Sequence, residues 1–418
     1  MTHLDALVVG AGVVGLTTAV MLAEAGLVTR VLAAAPPERT TSSAAGAIWG
    51  PSHVNATPRV LEWARAGLEV LSDLAADPRT AIRQVSGIEV SAAAGPHPEW
   101  FSQLPSWRPL SPAEVPSGFA TGRRYTAPVV TMPVYLGYLV DRLKAAGGTL
   151  DADAPVTSLR SLAAPLIVNC TGVGSRDLVP DPAVVPLRGQ VVIVANPGIE
   201  EFFRAPSDGP ESTYILPHGD HVLLGGTSHS GAWDLAPRPA LTRRILEHCA
   251  IADPRLRGAE VLAERVGLRP YRPDVRLEAE ALGDGRVLWH NYGHGGAGVT
   301  LAWGCARELA SAALSLRDVR ASRGGLLGRH GVAGRKRVVE ADVQRPGQRV
   351  EDGLLHHSGV AADAGGRQRR HGGARRGGEV QRAGEVAGHR APPGGQVGHL
   401  DAEDGLGQPQ RRGVVEGA

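Results

Sequence analysis

Residues 5–15 read DALVVGAGVVG, a short apolar run that ends in a glycine-rich turn. The run at residues 5–9 predicts a strand, the turn opens a helix that reaches about residue 25, and residues 28–33 predict a second strand. This order of strand, GxGxxG turn, helix and strand is typical of a dinucleotide-binding unit. The sequence therefore predicts an α/β protein with a Rossmann-type domain at its start.

The turn supplies three glycines with different tasks. Gly10 permits the tight turn, Gly12 lets the backbone approach a pyrophosphate, and Gly15 allows the helix to pack closely on the strand. The acidic residue that usually binds the ribose is missing, because residues 31–35 read VLAAA. Backbone groups or a water could bind the ribose, or the nucleotide is held mainly elsewhere. A freely exchanging nicotinamide cofactor would lose more from this absence than a large, buried flavin.

Three later segments are candidates for contacting the same dinucleotide. Residues 40–51 (TTSSAAGAIWGP) form a loop of hydroxyl and small residues that suits phosphates or a flat ring, with an ordinary surface loop as an equal alternative. Residues 166–174 (LIVNCTGVG) predict a strand that ends in a turn. Residues 293–298 (GHGGAG) predict a glycine turn before a final helix at about residues 299–314.

The segments between these pieces predict a second, interleaved domain. Residues 60–74 and 132–148 have helical patterns, whereas residues 186–195 (PLRGQVVIVA) and 212–229 (STYILPHGDHVLLGGTSH) alternate with period two around a PHGD hairpin. We therefore expect nucleotide-binding parts at about residues 1–55, 150–180 and 285–316. An antiparallel-sheet substrate domain is expected at about residues 56–149 and 181–284.

Composition excludes several classes of protein. A net charge of +2 over 418 residues gives no reason to expect nucleic acid as a partner. The three cysteines are widely spaced, which favours neither disulfides nor a metal site and fits a reducing cytoplasm. No apolar run reaches the length of a membrane span, and the chain does not begin with a signal-peptide pattern.

Residues 317–418 form a Gly- and Arg-rich tail without helical or strand periodicity, and no Phe, Tyr or Trp follows Trp303. Such a segment has too little apolar area to offset its ordering entropy, so we expect it to be disordered. RNA or polyanion binding is disfavoured because acidic residues are interspersed and no aromatic residue can stack on a base. A reading frame that slipped past the end of the true domain is the favoured explanation.

Six motifs together resemble the D-amino acid oxidase family: GAGVVG, TTSSAAGAIWGP, VNCTGVG, STYILPHGD, GLRPYRPDVRLE (residues 267–278) and NYGHGGAGVTLAWG. The resemblance covers about residues 3–315. It implies a non-covalent FAD that accepts a hydride from the Cα of a D-amino acid at flavin N5. Molecular oxygen then reoxidises the flavin to give H2O2, and the imino acid hydrolyses to a 2-oxo acid and ammonia.

The resemblance also implies residue roles. Arg272 would bind the substrate carboxylate together with Tyr214, and the backbone carbonyl of Gly296 would accept from the amine, which fits the bidentate match of guanidinium and carboxylate. Without the family likeness, Tyr214 would read as a packed tyrosine, and Arg269 and Arg276 read as scaffold or surface residues. The implied FAD contacts are Gly10, Ala11, Gly12, Val13, Val14, Gly15, Thr40, Thr41, Ser42, Gly46, Ala47, Ile48, Val156, Thr171, Gly172, Arg272, Gly295, Gly296, Ala297, Gly298, Val299 and Thr300.

Departures from the family pattern bear on the substrate. Gly50, Ser52 and Ala297 are smaller than their counterparts in better-known eukaryotic members, and the segment before Tyr214 is short, which predicts an open pocket. None of these positions adds an Arg or His for a side-chain carboxylate, so neutral D-amino acids are the expected substrates. His294 reads as structural, because a lone histidine in a glycine turn has no obvious partner.

Two other functions stay open at this stage. A glycine or sarcosine oxidase shares the FAD architecture, and a flavin-binding protein without catalysis is compatible with the missing ribose acid. The assembly state is equally open, with a homodimer among the options.

Overall fold

The computed structural model describes residues 4–207 and 209–327. They form fourteen strands in one sheet and six α-helices. The strands are β1 Ala6–Val9, β2 Thr29–Leu32, β3 Ile82–Ser91, β4 Trp107–Pro109, β5 Thr121–Val130, β6 Thr149–Asp151, β7 Leu166–Asn169, β8 Val185–Ala195, β9 Phe202–Ala205, β10 Glu211–Pro217, β11 His221–Thr227, β12 His229–Ser230, β13 Val261–Ala281 and β14 Val287–His294. The helices are α1 Val13–Glu24, α2 Pro58–Leu74, α3 Met132–Ala145, α4 Ser175–Leu178, α5 Pro239–Ala252 and α6 Gly298–Leu327.

One part of the sheet is parallel, in the order β6-β2-β1-β7-β14. Every residue of β1 and β7 is buried, which explains why these strands read as continuous apolar runs. Helices α1 and α6 pack against each other beside this part of the sheet. The Rossmann-type unit predicted from the first glycine turn is therefore confirmed.

The rest of the sheet is largely antiparallel, in the order β4-β5-β3-β9-β10-β11-β8-β13. Strands β10 and β11 form the hairpin predicted at PHGD. Strand β8 covers residues 186–195, the segment that was predicted from its period-two pattern. Strand β13 pairs with β8 along its first half and with β14 along its second. This one strand therefore joins the antiparallel part to the parallel part.

The chain passes between the two parts of the sheet several times. Strands β1, β2, β6, β7 and β14 lie in the parallel part, and the strands between them in sequence lie in the antiparallel part. This confirms the predicted fold class of a Rossmann-type domain interleaved with an antiparallel sheet. Helices α2 and α3 match the segments predicted as helical.

The final helix is longer than predicted. Helix α6 continues through residue 317 to Leu327, so the first residues of the segment that was predicted as a tail are helical. The expectation of disorder for residues 328–418 lies outside the described residues.

Two further observations concern the described part of the chain. None of its helices is long and apolar enough to cross a membrane. The three cysteines are buried and unpaired, and no group of three or more His, Cys, Asp or Glu side chains in residues 4–207 and 209–327 is arranged to hold a metal ion.

Candidate active site

A cavity of ≈ 820 Å³ runs along the carboxyl ends of β1 and β7, the edge of a parallel sheet where nucleotides bind. One end is lined by residues 10–14, by residues 33–35 after β2, and by residues 170–174 after β7. The other end reaches the antiparallel sheet at Arg204, Tyr214 and Arg269. The cavity is therefore long enough to join a nucleotide-binding end to a second, polar chamber.

The glycines of the first turn are required by close packing. Gly10 has φ +114, and a Cβ on it would lie 2.4 Å from the carbonyl oxygen of Cys170. A Cβ on Gly15 would lie 1.9 Å from the carbonyl oxygen of Gly10, so Gly15 allows α1 to rest on the turn without reaching the cavity itself. The packing role predicted for Gly15 is confirmed.

The hydroxyl-rich loop at residues 40–48 is fixed to both neighbouring elements. Ser42 Oγ accepts a hydrogen bond of 3.0 Å from the backbone N–H of Val13, at the N-terminus of α1. The backbone N–H of Leu268 donates to Thr41 Oγ1, which in turn donates to the Leu268 carbonyl, so the loop is also held to β13. The loop lies on the cavity wall, and the alternative of an unrelated surface loop is excluded.

The nucleotide end fits a dinucleotide but lacks the usual ribose ligand. Residues 33–35 line the cavity as three alanines, with Arg39 beside them, and Arg39 forms an ion pair with Asp153. Glycine turns, backbone N–H groups and small side chains at this end leave room for a pyrophosphate and a flat ring.

Most residues predicted to contact FAD lie on the cavity wall. Three do not: Gly15, Ala297, which is fully buried, and Arg272. The residues that do are Gly10, Ala11, Gly12, Val13, Val14, Thr40, Thr41, Ser42, Gly46, Ala47, Ile48, Val156, Thr171, Gly172, Gly295, Gly296, Gly298, Val299 and Thr300.

The role predicted for Arg272 does not fit the structure. Its Nε donates to Asp181 Oδ2 at 3.0 Å, and its Nη1 donates to the backbone carbonyl of Asp274. Arg269 lies in the regular stretch of β13 that pairs with β8, whereas Arg272 lies where the pairing of β13 with β14 is irregular, between Tyr271 and Arg276. Arg272 therefore belongs to a structural ion pair beside the sheet, and Arg269 faces the cavity instead.

Arg269 is a cation without a carboxylate partner among the residues that the structure describes. Its Nη1 donates to the backbone carbonyl of Thr227 at 2.8 Å. A Cβ on Gly189 would lie only 2.3 Å from that nitrogen, so the guanidinium rests directly on the glycine. Half-buried arginines are normally paired, and an unpaired one in a cavity is suited to an anionic ligand.

Tyr214 lies beside Arg269 in the same chamber. Its ring covers Gly225 and Gly226, where an added Cβ would meet the phenol at 1.9 and 2.5 Å. Burial raises the pKa of Tyr214, although the charge of Arg269 opposes the shift. The hydroxyl therefore stays protonated and is available as a hydrogen-bond donor.

The charged pair at the chamber wall was not predicted from the sequence. Arg204 on β9 lies opposite Glu89 on β3, and its Nη1 contacts Glu89 Oε2 at 2.8 Å and the Tyr125 hydroxyl at 3.0 Å. The Arg123 guanidinium lies 3.9 Å from the other Glu89 oxygen, Oε1. Both contacts use the same nitrogen of Arg204, Nη1, and the residue also lines the cavity.

Two histidines, His53 and His294, also line the cavity. His294 is buried, and burial lowers its pKa to about 4, so the ring is neutral. His53 is exposed at the cavity mouth, and its Nε2 lies 3.1 Å from Ser228 Oγ. The positions that depart from the family pattern add no Arg or His, but Arg204 and His53 line the cavity from other positions.

Comparison with known proteins identifies the group to which this architecture belongs. The family model described as "DAO: FAD dependent oxidoreductase" matches residues 5–312. A D-amino-acid oxidase of Rubrobacter xylanophilus is 48% identical over 316 residues, covering 74% of this chain and 97% of that protein. A D-aspartate oxidase of Homo sapiens is 37% identical, covering 72% and 92%.

A solved structure shares the same fold. Glycine oxidase from Geobacillus kaustophilus superposes with a TM-score of 0.65 at 20% identity, over 75% of this chain and 95% of that one. At this identity the likeness concerns the fold alone. With the family match over residues 5–312, the chain belongs to the DAO family of FAD-dependent oxidoreductases.

Proposed function

We propose that this oxidoreductase converts D-amino acids to imino acids, with O2 as the final electron acceptor. H2O2 is then one product, and hydrolysis of the imino acid gives a 2-oxo acid and ammonia. The observation that carries the proposal is Arg269, a guanidinium without a carboxylate partner that lies beside Tyr214 in the cavity. The relatives named D-amino-acid oxidase, 48% and 47% identical, support it.

Arg269 and Tyr214 together suit the α-carboxylate of an amino acid. A planar guanidinium can donate two parallel hydrogen bonds to a carboxylate, and the neutral phenol adds a third. The Thr227 carbonyl accepts a hydrogen bond from one nitrogen of Arg269, and Gly189 packs directly against the guanidinium. The guanidinium is therefore held in place before the substrate binds. The chain thereby contributes orientation, which is most of what a direct hydride transfer needs.

The amine is assigned to the glycine turn before α6. The backbone carbonyl of Gly296, which lines the cavity, would accept from the substrate nitrogen. FAD, when bound, would take the Cα hydride at flavin N5, a redox step that protein side chains do not supply. With the carboxylate at Arg269, the amine at Gly296 and the Cα hydrogen directed at the flavin, three fixed points would distinguish the D-enantiomer from the L-enantiomer.

Neutral D-amino acids are the proposed main substrates, because Ser52 on the chamber wall is a small side chain without a charge. Arg204 supports a second substrate class, D-amino acids with an oxygen acceptor on the side chain. Glu89 already forms ion pairs with Arg204 and, at a longer distance, with Arg123. The groups at this wall that could still bind a substrate are therefore hydrogen-bond donors. The relative named D-aspartate oxidase agrees with this second candidate.

Anaerobic reduction of the flavin tests the function directly. The purified protein should be yellow and should lose its flavin absorbance when D-alanine is added without oxygen, whereas L-alanine should have no effect. Sarcosine and glycine distinguish the related amine oxidases. A colourless protein, or a yellow one that no D-amino acid bleaches, would refute the proposal.

A further inference from the structure

The α-amino group of a free amino acid carries a proton near neutral pH, and this proton must leave before a hydride can depart from Cα. The proposed function names no group for this task. We propose that His53 accepts the proton of the substrate ammonium group and passes it to solvent at the cavity mouth. The inference rests on the proposed function and adds a residue to it.

The backbone places the His53 ring against the predicted amine site. His53 has φ +53, a left-handed conformation that costs energy in a residue other than glycine and that clusters at functional positions. A Cβ on Gly296 would lie 2.9 Å from His53 Nδ1, and a Cβ on Gly295 would lie 1.9 Å from the His53 carbonyl oxygen. These two glycines therefore let the ring approach the turn that is assigned to the substrate nitrogen.

The other ring nitrogen has a route to water. His53 Nε2 lies 3.1 Å from Ser228 Oγ, and this contact is exposed to solvent, with His53 exposed and Ser228 half-buried. In the tautomer in which Nε2–H donates to Ser228, Nδ1 is an unprotonated acceptor on the Gly296 side. One ring thus connects the chamber to the exterior.

The charges around His53 keep the ring neutral. Although His53 is exposed on one side, the protein atoms around its ring desolvate it in part and lower its pKa to about 4, and the positive charges of Arg269 on β13 and Arg204 on β9 add to the shift. The cavity lining also includes titratable groups at Glu89 on β3, Tyr214 on β10, and Tyr292 and His294 on β14, and hydroxyl or amide groups at Ser52, Ser207, Ser212, Thr213, Asn291 and Thr300. Ser228 contacts the His53 ring from before β12. The same two guanidiniums also favour loss of a proton from an ammonium group held between them.

The step conserves atoms and charge. One N–H bond of the ammonium breaks, its electron pair stays on the substrate nitrogen, and the proton forms a bond to Nδ1. The imidazolium then releases the Nε2 proton to the Ser228 hydroxyl and onward to water. No oxidant is consumed in this step.

A pH profile tests the relay. His53→Asn is the informative variant, because asparagine adopts the left-handed conformation readily and keeps a hydrogen-bonding side chain but cannot carry the proton. With D-alanine, we expect anaerobic flavin reduction in the variant to be about 100-fold slower than wild type at pH 7. At pH 10, where the free amino acid has largely lost its proton, the two rates should approach each other. Imidazole added to His53→Gly should restore part of the rate at pH 7.

A purely structural role predicts a different result. If His53→Asn lowers the rate by the same factor at every pH, or leaves it unchanged, and imidazole does not restore His53→Gly, the relay is refuted. Flavin absorbance and the melting temperature show whether both variants still fold and bind cofactor. If the wild-type flavin is not reduced by D-alanine at any pH, the proposed function fails first, which separates the two outcomes.

Discussion

Replacing Arg269 by Met tests the assignment of the carboxylate site, with Arg272→Met as the matched control on the same strand. Removing one partner of a buried, hydrogen-bonded charge pair costs about 2–5 kcal/mol. Tyr214 would still donate one hydrogen bond and Arg204 would remain nearby, so we expect the middle of this range. A loss of about 3 kcal/mol corresponds to a decrease of roughly 150-fold in kcat/KM for D-alanine.

The Arg272→Met control should separate an effect on substrate binding from an effect on the stability of the fold. Arg272→Met leaves the cavity wall intact, so its kcat/KM should stay within a few-fold of wild type. It removes the 3.0 Å ion pair with Asp181, which then keeps the Tyr292 hydroxyl as a partner, and we expect unfolding to be easier by about 1–2 kcal/mol. Steady-state kinetics and denaturant unfolding of both variants provide the two measurements. If Arg272→Met loses the activity and Arg269→Met keeps it, the assignment of the carboxylate site to Arg269 is wrong.

Three further predictions concern other parts of the chamber. Gly225→Ala should displace the Tyr214 ring, because the new Cβ would lie 1.9 Å from the phenol, and should raise KM for D-alanine at least tenfold while the flavin stays bound. Arg204→Met should lower kcat/KM for D-asparagine and D-aspartate about tenfold or more relative to D-leucine, their apolar isostere; an unchanged ratio would exclude Arg204 from side-chain recognition. The pKa of His294 is lowered from 6.5 to about 4, so stability should be complete above pH 6.5 and fall as the pH drops toward 4; His294→Gln should reduce this pH dependence of the unfolding free energy by about 3 kcal/mol.

The nucleotide-binding half could be predicted because its signals are local. The turn at residues 10–15 must hold glycines, since side chains there would overlap Cys170 and the turn itself, and the buried strands need continuous apolar runs. Each of these requirements leaves a pattern within a dozen residues of sequence. Elements of this kind are specified by their own residues and their immediate neighbours.

The polar chamber could not be predicted in the same way, because its residues come together only through strand pairing. Glu89 and Arg204 face each other because β3 and β9 pair in parallel with that register, although they are far apart in sequence. His53 reaches the chamber from a loop in which it adopts a left-handed backbone conformation itself. The sequence does not predict this conformation. Neither contact produces a periodic pattern.

The assignment of the carboxylate site to Arg272 overlooked one signal in the sequence, the glycines within strands. Strand β13 pairs with β8 so that Gly267 lies opposite Gly189, and Arg269, two residues further on, shares the face of Gly267. A glycine inside a strand signals that a neighbouring group approaches closely, and Gly189, Gly225 and Gly226 all lie within strands. Gly225 and Gly226 leave space for the ring of Tyr214, and Gly189 leaves space for the guanidinium of Arg269. The arginine that we propose as the carboxylate ligand was therefore indicated less by its own neighbours in the sequence than by the glycines on the strands beside it.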